Sequence, residues 1–140
     1  RLDGDPQHAG FQFRAANEVF ETSADKTYFI RPVNGTASPG ETVNWSRKND
    51  TEMTRDLPWK GMCIHVAGKP YTIAYLDSPT NPKPARFSER DYGRFGSYFA
   101  CEITPDDPLQ VNYRLVVRQG VMTLEEIEAA SVKFVAEVTQ

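Results

Sequence analysis

The sequence has little cysteine and no long hydrophobic run. None of its apolar stretches approaches the roughly 18 residues of a membrane-spanning helix, so no such span is predicted. Two cysteines in 140 residues are too few for a disulfide scaffold. Neither belongs to a Cys-x-x-Cys pair of the kind found in zinc and redox sites. Cys63 and Cys101 both lie in apolar, strand-like runs, which favours buried free thiols over a bridge between them.

The sequence also has no excess of basic charge. Sixteen Lys and Arg residues against nineteen Asp and Glu residues give a net charge of −3, with no basic run. Nucleic acids and anionic membranes attract positive surfaces, so neither is a predicted partner. A nucleophile elbow, a phosphate-binding glycine loop and a His-Glu-x-x-His motif are also missing. A catalytic site would therefore consist of scattered polar side chains that the fold brings together.

Alternation of apolar and polar residues with period two dominates the chain and predicts antiparallel β-structure. In the segment 9–15, Phe11 and Phe13 lie on one face and Gln12 and Arg14 on the other. The runs 61–66 and 71–76 predict a hairpin that turns at Gly68. Further strands are predicted over 27–31, 42–46, 97–103 and 109–118, the last two as a second hairpin. The segments 32–55 and 77–86 predict long loops, the second containing three prolines.

The C-terminal segment changes to helical period. Thr123 and Glu126 form a capping-box pattern, and apolar residues then recur at helical spacing, which predicts an amphipathic helix over 123–138. The predicted fold is all-β, an antiparallel β-sandwich with one C-terminal α-helix. Strand patterning begins almost at the first residue, without an initiator methionine. We therefore expect residues 1–140 to be either a single sandwich domain or the C-terminal half of a larger one.

The segment 87–98 combines charge, aromatic rings and glycine, which favours a binding loop. Arginine and tyrosine can stack on a flat ligand and donate hydrogen bonds to its polar rim, and Gly93 and Gly96 permit a sharp turn or a close approach. A sugar or another polyhydroxylated ligand fits this chemistry. The alternative is that the same side chains cover a sheet edge, solvated or paired with each other. The candidate residues of this segment are Glu89, Arg90, Tyr92 and Arg94.

Other candidates are single residues. His8, at the start of the first strand, is placed as a general acid or base or as a metal ligand. Trp59, just before a strand, is either a sugar-stacking platform or an anchor that closes one end of the sandwich. A calcium ion is the one cofactor considered, held either by Asp3, Asp5 and His8 or at the turn of Asp106 and Asp107. Neither group has the fixed ligand spacing of a calcium loop, and a plain turn is favoured for the second.

Five segments resemble the PmoA-like family of bacterial proteins of unknown function: 7–15, 27–32, 57–59, 75–82 and 91–96. The most specific part is the Asn81-Pro82 loop followed by Tyr92-Gly93-Arg94-Phe95. Members look longer, with a histidine-rich strand in an N-terminal half. The family label of methane oxygenase is not carried over. A membrane copper oxygenase needs spanning helices and a histidine cluster, and this sequence has neither.

The resemblance implies a β-sandwich protein of carbohydrate metabolism that is secreted, periplasmic or associated with the cell envelope. A galactose-mutarotase-like arrangement of strands is one topology that such a sandwich could have. By analogy, His8, Gln12 and Arg14 would face a shared concave site with Tyr92 and Arg94. That site is interpreted either as the active site of an enzyme or as the ligand site of a carbohydrate-binding domain, and a structural role is the third alternative.

The first interpretation is a sugar-processing enzyme, with His8 transferring a proton and a carboxylate such as Glu89, or one from a missing half, as its partner. The second is a non-catalytic carbohydrate-binding domain that uses Trp59, Tyr92 and Arg94. A third, structural interpretation makes the arginines and tyrosines an edge cover or an oligomer contact. A sandwich that lacks strands would leave open edges and an apolar face, and an N-terminal half or a second chain would be the partner that completes it.

Overall fold

The structure is a computed structural model that describes residues 2–3, 10–44 and 50–140. His8 therefore lies outside the described residues. The described strands are β1 (Leu2–Asp3), β2 (Phe11–Arg14), β3 (Tyr28–Arg31), β4 (Gly35–Thr36), β5 (Trp59–Val66), β6 (Lys69–Asp77), β7 (Arg86–Arg90), β8 (Arg94–Tyr98), β9 (Ala100–Cys101) and β10 (Tyr113–Gln119). The described α-helices are α1 (Asn17–Thr22) and α2 (Leu124–Val138). Neither helix is long and apolar enough to cross a membrane.

The fold has three layers, with a five-stranded antiparallel sheet in the middle. Its strand order is β10-β6-β5-β3-β4, and a smaller sheet has the order β2-β8-β7. Because side chains alternate along a strand, the middle sheet presents one apolar face to the small sheet and the other to α2. The first interface buries Phe29, Met62, Ile73, Tyr75, Phe87 and Phe95, among others. The second buries Ile30, Trp59, Ala74, Leu76, Ile127 and Phe134. The predicted sandwich-like all-β fold with a single C-terminal helix is confirmed, and the short α1 is an addition to it.

The central hairpin and the C-terminal helix form as their local sequence patterns predict. Ala67 and Gly68 both have positive φ angles, of 48° and 73°, so β5 and β6 are joined by a tight two-residue turn. At the start of α2 the capping box is present, with reciprocal hydrogen bonds between Thr123 and Glu126. The helix packs closely because Gly61 has no side chain. A Cβ atom there would lie 2.7 Å from Ile127 Cδ1.

The predicted second hairpin is wrong. Strand β10 pairs with β6, in the register Tyr113↔Asp77 to Gln119↔Tyr71, and not with β8. The reason is that β8 belongs to the small sheet and β10 to the middle sheet, so the chain between them passes from one sheet to the other. Alternation predicts that a strand exists, but it does not identify the strand's partner. Of the predicted strand 42–46, the described residues form one isolated bridge, Asn44↔Ser88.

The prediction that residues 87–98 form a loop is also wrong, since these residues form most of the hairpin β7–β8. Phe87 and Phe95 are fully buried between the sheets. Side chains alternate along both strands, so Phe87, Glu89 and Phe95 are buried on the inner face, while Arg90 and Arg94 lie on the outer face. The two cysteines are free, as predicted. Burial is confirmed for Cys63, whereas Cys101 is partly exposed.

Candidate functional site

Pairing of β2 with β8 brings three of the predicted site residues to one surface. Arg14 lies opposite Arg94 and Gln12 opposite Gly96 in the antiparallel register. Phe13 and Phe95 point into the core on alternate positions of these strands. Gln12, Arg14 and Arg94 therefore lie on the outer face of the small sheet. The two strands are more than eighty residues apart in sequence, so only the fold creates this surface.

Contacts on this surface join the residues in two pairs. The Arg94 Nε–H donates a hydrogen bond to Gln12 Oε1. The Arg14 guanidinium carbon lies 5.9 Å from the centroid of the Tyr92 ring, within range of a cation–π interaction. Phe20 of α1 meets Tyr92 edge to face, with ring centroids 6.2 Å apart. Arg14, Phe20 and Tyr92 line a shallow cleft of about 160 Å³, named here the Arg14–Tyr92 cleft.

Phe20 is the member of the cleft that no sequence pattern indicated. Its side chain is 66% exposed, which is unusual for a phenylalanine. It belongs to the short helix α1, whose only buried residue is Val19. A single apolar residue in a short helix carries no sequence signal of its own. Its proximity to Tyr92 depends on how α1 docks beside the β7–β8 turn.

Two glycines make the geometry of this surface possible. A Cβ atom on Gly96 would lie 2.5 Å from the Phe11 carbonyl oxygen and 2.8 Å from Gln12 Cα, so only glycine lets β2 approach β8. Gly93 has a φ angle of +80°, and a Cβ atom there would lie 2.7 Å from Ala15 Cβ. The sequence predicted a sharp turn or a close approach at these two positions. The structure confirms both.

Glu89 lies away from this surface, on the inner face of the same sheet. Its carboxylate is fully buried and accepts two hydrogen bonds from Arg31, at 2.9 and 2.8 Å. Lys60 Nζ, also fully buried, lies 2.8 Å from Glu89 Oε1, and the Val43 N–H donates to Glu89 Oε2 at 2.7 Å. The neighbouring Arg90 donates to the Glu89 carbonyl oxygen. The structure therefore does not bring Glu89 to the Arg14–Tyr92 cleft.

The environment of Glu89 keeps it charged. Burial by itself would raise the pKa of Glu89, but the hydrogen bonds from Arg31 and the charge of Lys60 outweigh burial and hold the pKa below its ordinary value. For Lys60 burial dominates and lowers the pKa, although the charge of Glu89 opposes this. Arg31 has an additional ion pair with Glu41 at 3.0 Å. This arrangement is a neutralised charge cluster between the two sheets.

The remaining predicted residues are separated from the cleft. Trp59 is fully buried between the middle sheet and α2, where its Nε1–H donates to Glu128, so it is a core residue and not an exposed stacking platform. Asp106 and Asp107 belong to a turn in which the Asp107 N–H donates to the Thr104 carbonyl oxygen. The described residues contain no group of three or more His, Cys, Asp or Glu side chains that could hold a metal ion.

A second polar group of residues, which the sequence did not indicate as a site, surrounds Asp77 at the end of β6. Asp77 is 1% exposed and accepts hydrogen bonds from Asn81 at 2.6 Å, Ser97 at 3.2 Å and Lys83 at 3.3 Å. Burial raises the pKa of the Asp77 carboxyl above its ordinary value, and these partners offset only part of the effect. Asp77 and Lys83 line a cavity of about 330 Å³.

Comparison with known proteins gives one match. A protein-family model described as "Family of unknown function (DUF6807)" matches residues 2–131. A search of curated proteins and a search of solved structures found no match. The match extends over both sheets and the first half of α2, so the cleft and the Asp77 group both lie inside it.

Proposed function

We propose that this chain, which belongs to the family of unknown function DUF6807, binds a saccharide at the Arg14–Tyr92 cleft. The observation that carries the proposal is the β2–β8 register, which puts Gln12, Arg14 and Arg94 on one surface beside Tyr92. The composition of the segment 87–98 indicated Tyr92 and Arg94 for a polyhydroxylated ligand, and the resemblance to PmoA-like proteins implied that Gln12 and Arg14 face the same site. Their convergence from distant parts of the chain is what a built binding surface requires.

The chemistry of the cleft suits a sugar ring. A sugar has apolar C–H faces that pack on aromatic rings, and hydroxyl groups that accept hydrogen bonds from a guanidinium. Tyr92 and the exposed Phe20 supply the rings, and Arg14 supplies the donors. The volume of about 160 Å³ is below the roughly 300 Å³ of typical small-molecule pockets. We propose that it holds one sugar unit, with the rest of any longer saccharide outside.

The burial of Glu89 favours binding without catalysis. A catalytic carboxylate has to reach the substrate, and Glu89 faces the opposite side of the small sheet in four close contacts. The enzyme interpretation, with His8 as the proton-transfer group, remains a prediction. If it holds, His8→Ala abolishes turnover of a bound saccharide while leaving its affinity unchanged.

The binding proposal is tested by a thermal-shift screen against mono- and oligosaccharides, followed by calorimetry on hits. A ligand at one hundred times its Kd adds about 2.7 kcal/mol, a rise of several degrees in Tm for a domain of this size. We expect a saccharide-specific rise that disappears in Arg14→Ala and in Tyr92→Ala. Arg114→Ala is the matched control, because Arg114 lies against α2 on the far face of the middle sheet. The proposal fails if no saccharide raises Tm, or if the rise survives in both cleft variants.

Other parts of the sequence interpretation stay predictions. Secretion or an envelope location depends on the resemblance to PmoA-like proteins, and the matching family carries no function that bears on either. An N-terminal half or a second chain as partner is likewise proposed only from the sequence. Saccharide binding depends neither on the location of the protein nor on a partner, and its test uses the chain alone.

A further inference from the structure

A cavity of about 330 Å³ opens between the start of β5, the end of β6, the proline-rich loop and α2. Its lining residues are Asp56, Pro58, Asp77, Pro79, Lys83 and Val135. It shares no lining residue with the Arg14–Tyr92 cleft. Its size falls in the range of typical small-molecule sites, and its walls combine apolar side chains with a few charged ones, as such sites usually do.

The charges in the cavity do not balance. The charged residues that line it are two aspartates, Asp56 and Asp77, and a single lysine, Lys83. Lys83 Nζ lies 3.3 Å from Asp77 Oδ2, a long contact for an ion pair, and its side chain is 31% exposed. Asp56 accepts one hydrogen bond, from the Ala85 N–H at 2.7 Å, and no other partner of its carboxylate is found among the described residues. The cavity therefore has acceptor capacity for one more cation.

We propose that this cavity is a binding site for a small organic cation, a primary ammonium group on a short apolar body. The ammonium would lie between Asp56 and Asp77, while Pro58, Pro79 and Val135 contact the apolar body. Lys83 would turn toward solvent, since its side chain is already partly exposed. A bare metal ion fits less well, because metal sites need more ligands than two carboxylates and the described residues hold no cluster of three.

The charge pattern makes the site selective among ligands of one shape. An alkyl ammonium gains from both carboxylates, and an alcohol of equal length gains only from the apolar walls. An alkyl carboxylate would be repelled by two like charges and attracted by Lys83 alone. Lys83 competes with a cationic ligand for the Asp77 carboxylate. Its removal should therefore strengthen binding of a cation and weaken binding of an anion.

The test is an NMR titration of the full ¹⁵N-labelled chain with three probes: n-butylammonium, n-butanol and butyrate, at equal ionic strength. We expect n-butylammonium to shift the amide signals of Asp77, Lys83 and Val135, with a Kd on the order of millimolar for so small a ligand. The other two probes should leave these signals unchanged at the same concentrations. Equal binding of n-butanol would reduce the site to an apolar pocket and overturn the proposal. Preferential binding of butyrate, or no shift with any probe, would overturn it too.

Variants then identify the charges responsible. Asp77→Asn should weaken n-butylammonium binding by about tenfold or more, because it removes a buried charged acceptor. Asp56→Asn should weaken it by about 2- to 5-fold, and Lys83→Gln should strengthen it by about the same factor. Asp56 is exposed and asparagine can still accept from the Ala85 N–H, so this variant keeps the test valid if Asp77→Asn does not fold. Loss of binding in Lys83→Gln would contradict the proposal.

Discussion

Replacement of Glu89 by glutamine should cost this protein a large part of its stability. Glu89 is a buried carboxylate that both Arg31 and Lys60 contact, and all three side chains are at most 2% exposed. Glutamine keeps the shape of the side chain but removes its charge. Arg31 then keeps only the half-exposed Glu41 as its counter-charge, and among the described residues Lys60 has none.

The expected magnitude follows from the cost of an uncompensated buried charge. Removing one partner of a buried ion pair typically costs about 3–5 kcal/mol, a large fraction of the 5–15 kcal/mol that stabilises an ordinary domain. Lys60→Met should change stability by about 1 kcal/mol or less. Glu89 would still have both hydrogen bonds from Arg31 and one from Val43, and burial of the lysine charge would no longer be needed.

Urea denaturation of the two single variants and the double variant measures these differences, provided the m-value stays constant. The double variant should be more stable than Glu89→Gln alone, because the lysine whose charge lost its partner is gone. A loss below about 1 kcal/mol for Glu89→Gln would refute the reasoning. So would a double variant as unstable as the sum of the single changes.

The same cluster predicts how stability depends on pH. Because the folded-state pKa of Glu89 is below its ordinary value near 4.5, its contribution is fully present above that value. The contribution disappears as the pH falls through the lowered folded-state pKa. The acid limb of the stability curve should therefore be shallower in Glu89→Gln than in the natural protein. Equal acid limbs would show that Glu89 has no lowered pKa.

Three further predictions concern other parts of the fold. Gly96→Ala should destabilise the protein by about 1–3 kcal/mol in urea denaturation and abolish saccharide binding, because the added Cβ atom would collide with β2. Unchanged stability would contradict the close approach of the two strands. The hydrogen bond with Arg118 lowers the pKa of Glu126 to about 2. Arg118→Ala should therefore return that pKa toward its ordinary value in a carboxyl NMR titration. An unchanged pKa would contradict the pairing of the two side chains. Burial raises the pKa of the Cys63 thiol, so a thiol reagent should modify the partly exposed Cys101 first. Equal modification rates at the two cysteines would contradict the burial of Cys63.

Local patterns in the sequence predicted most of the fold. Alternation located most of the long strands, and the Thr123–Glu126 capping box located the start of α2. The errors concern pairing between distant segments. The period-two pattern of 109–118 predicts a strand but fits any neighbour equally well, so it does not show that this strand pairs with β6 and not with the preceding run 97–103. The mixture of charged, aromatic and glycine residues over 87–98 predicts a loop, whereas these residues form a hairpin that buries Phe87 and Phe95.

The candidate sites were predictable to different degrees. Residue type indicates Tyr92 and Arg94, the resemblance to PmoA-like proteins implies Gln12 and Arg14, and the β2–β8 register puts Gln12, Arg14 and Arg94 on one face. Glu89 was indicated too, but its inward direction depends on the hairpin register, which the sequence did not supply. Asp77 gave no signal, because its importance comes from burial beside a cavity. An aspartate at the end of a strand looks like an ordinary turn residue until the tertiary structure surrounds it.

The most direct test of saccharide binding is an NMR titration that maps the binding position residue by residue. The saccharide with the largest thermal shift is added to the ¹⁵N-labelled chain, and the amide signals are followed. Binding at the cleft predicts that the largest shifts occur at Arg14, Phe20 and Tyr92, with smaller ones at Gln12 and Arg94. Shifts centred on Asp77, or spread without a centre over the molecule, would contradict the proposed site.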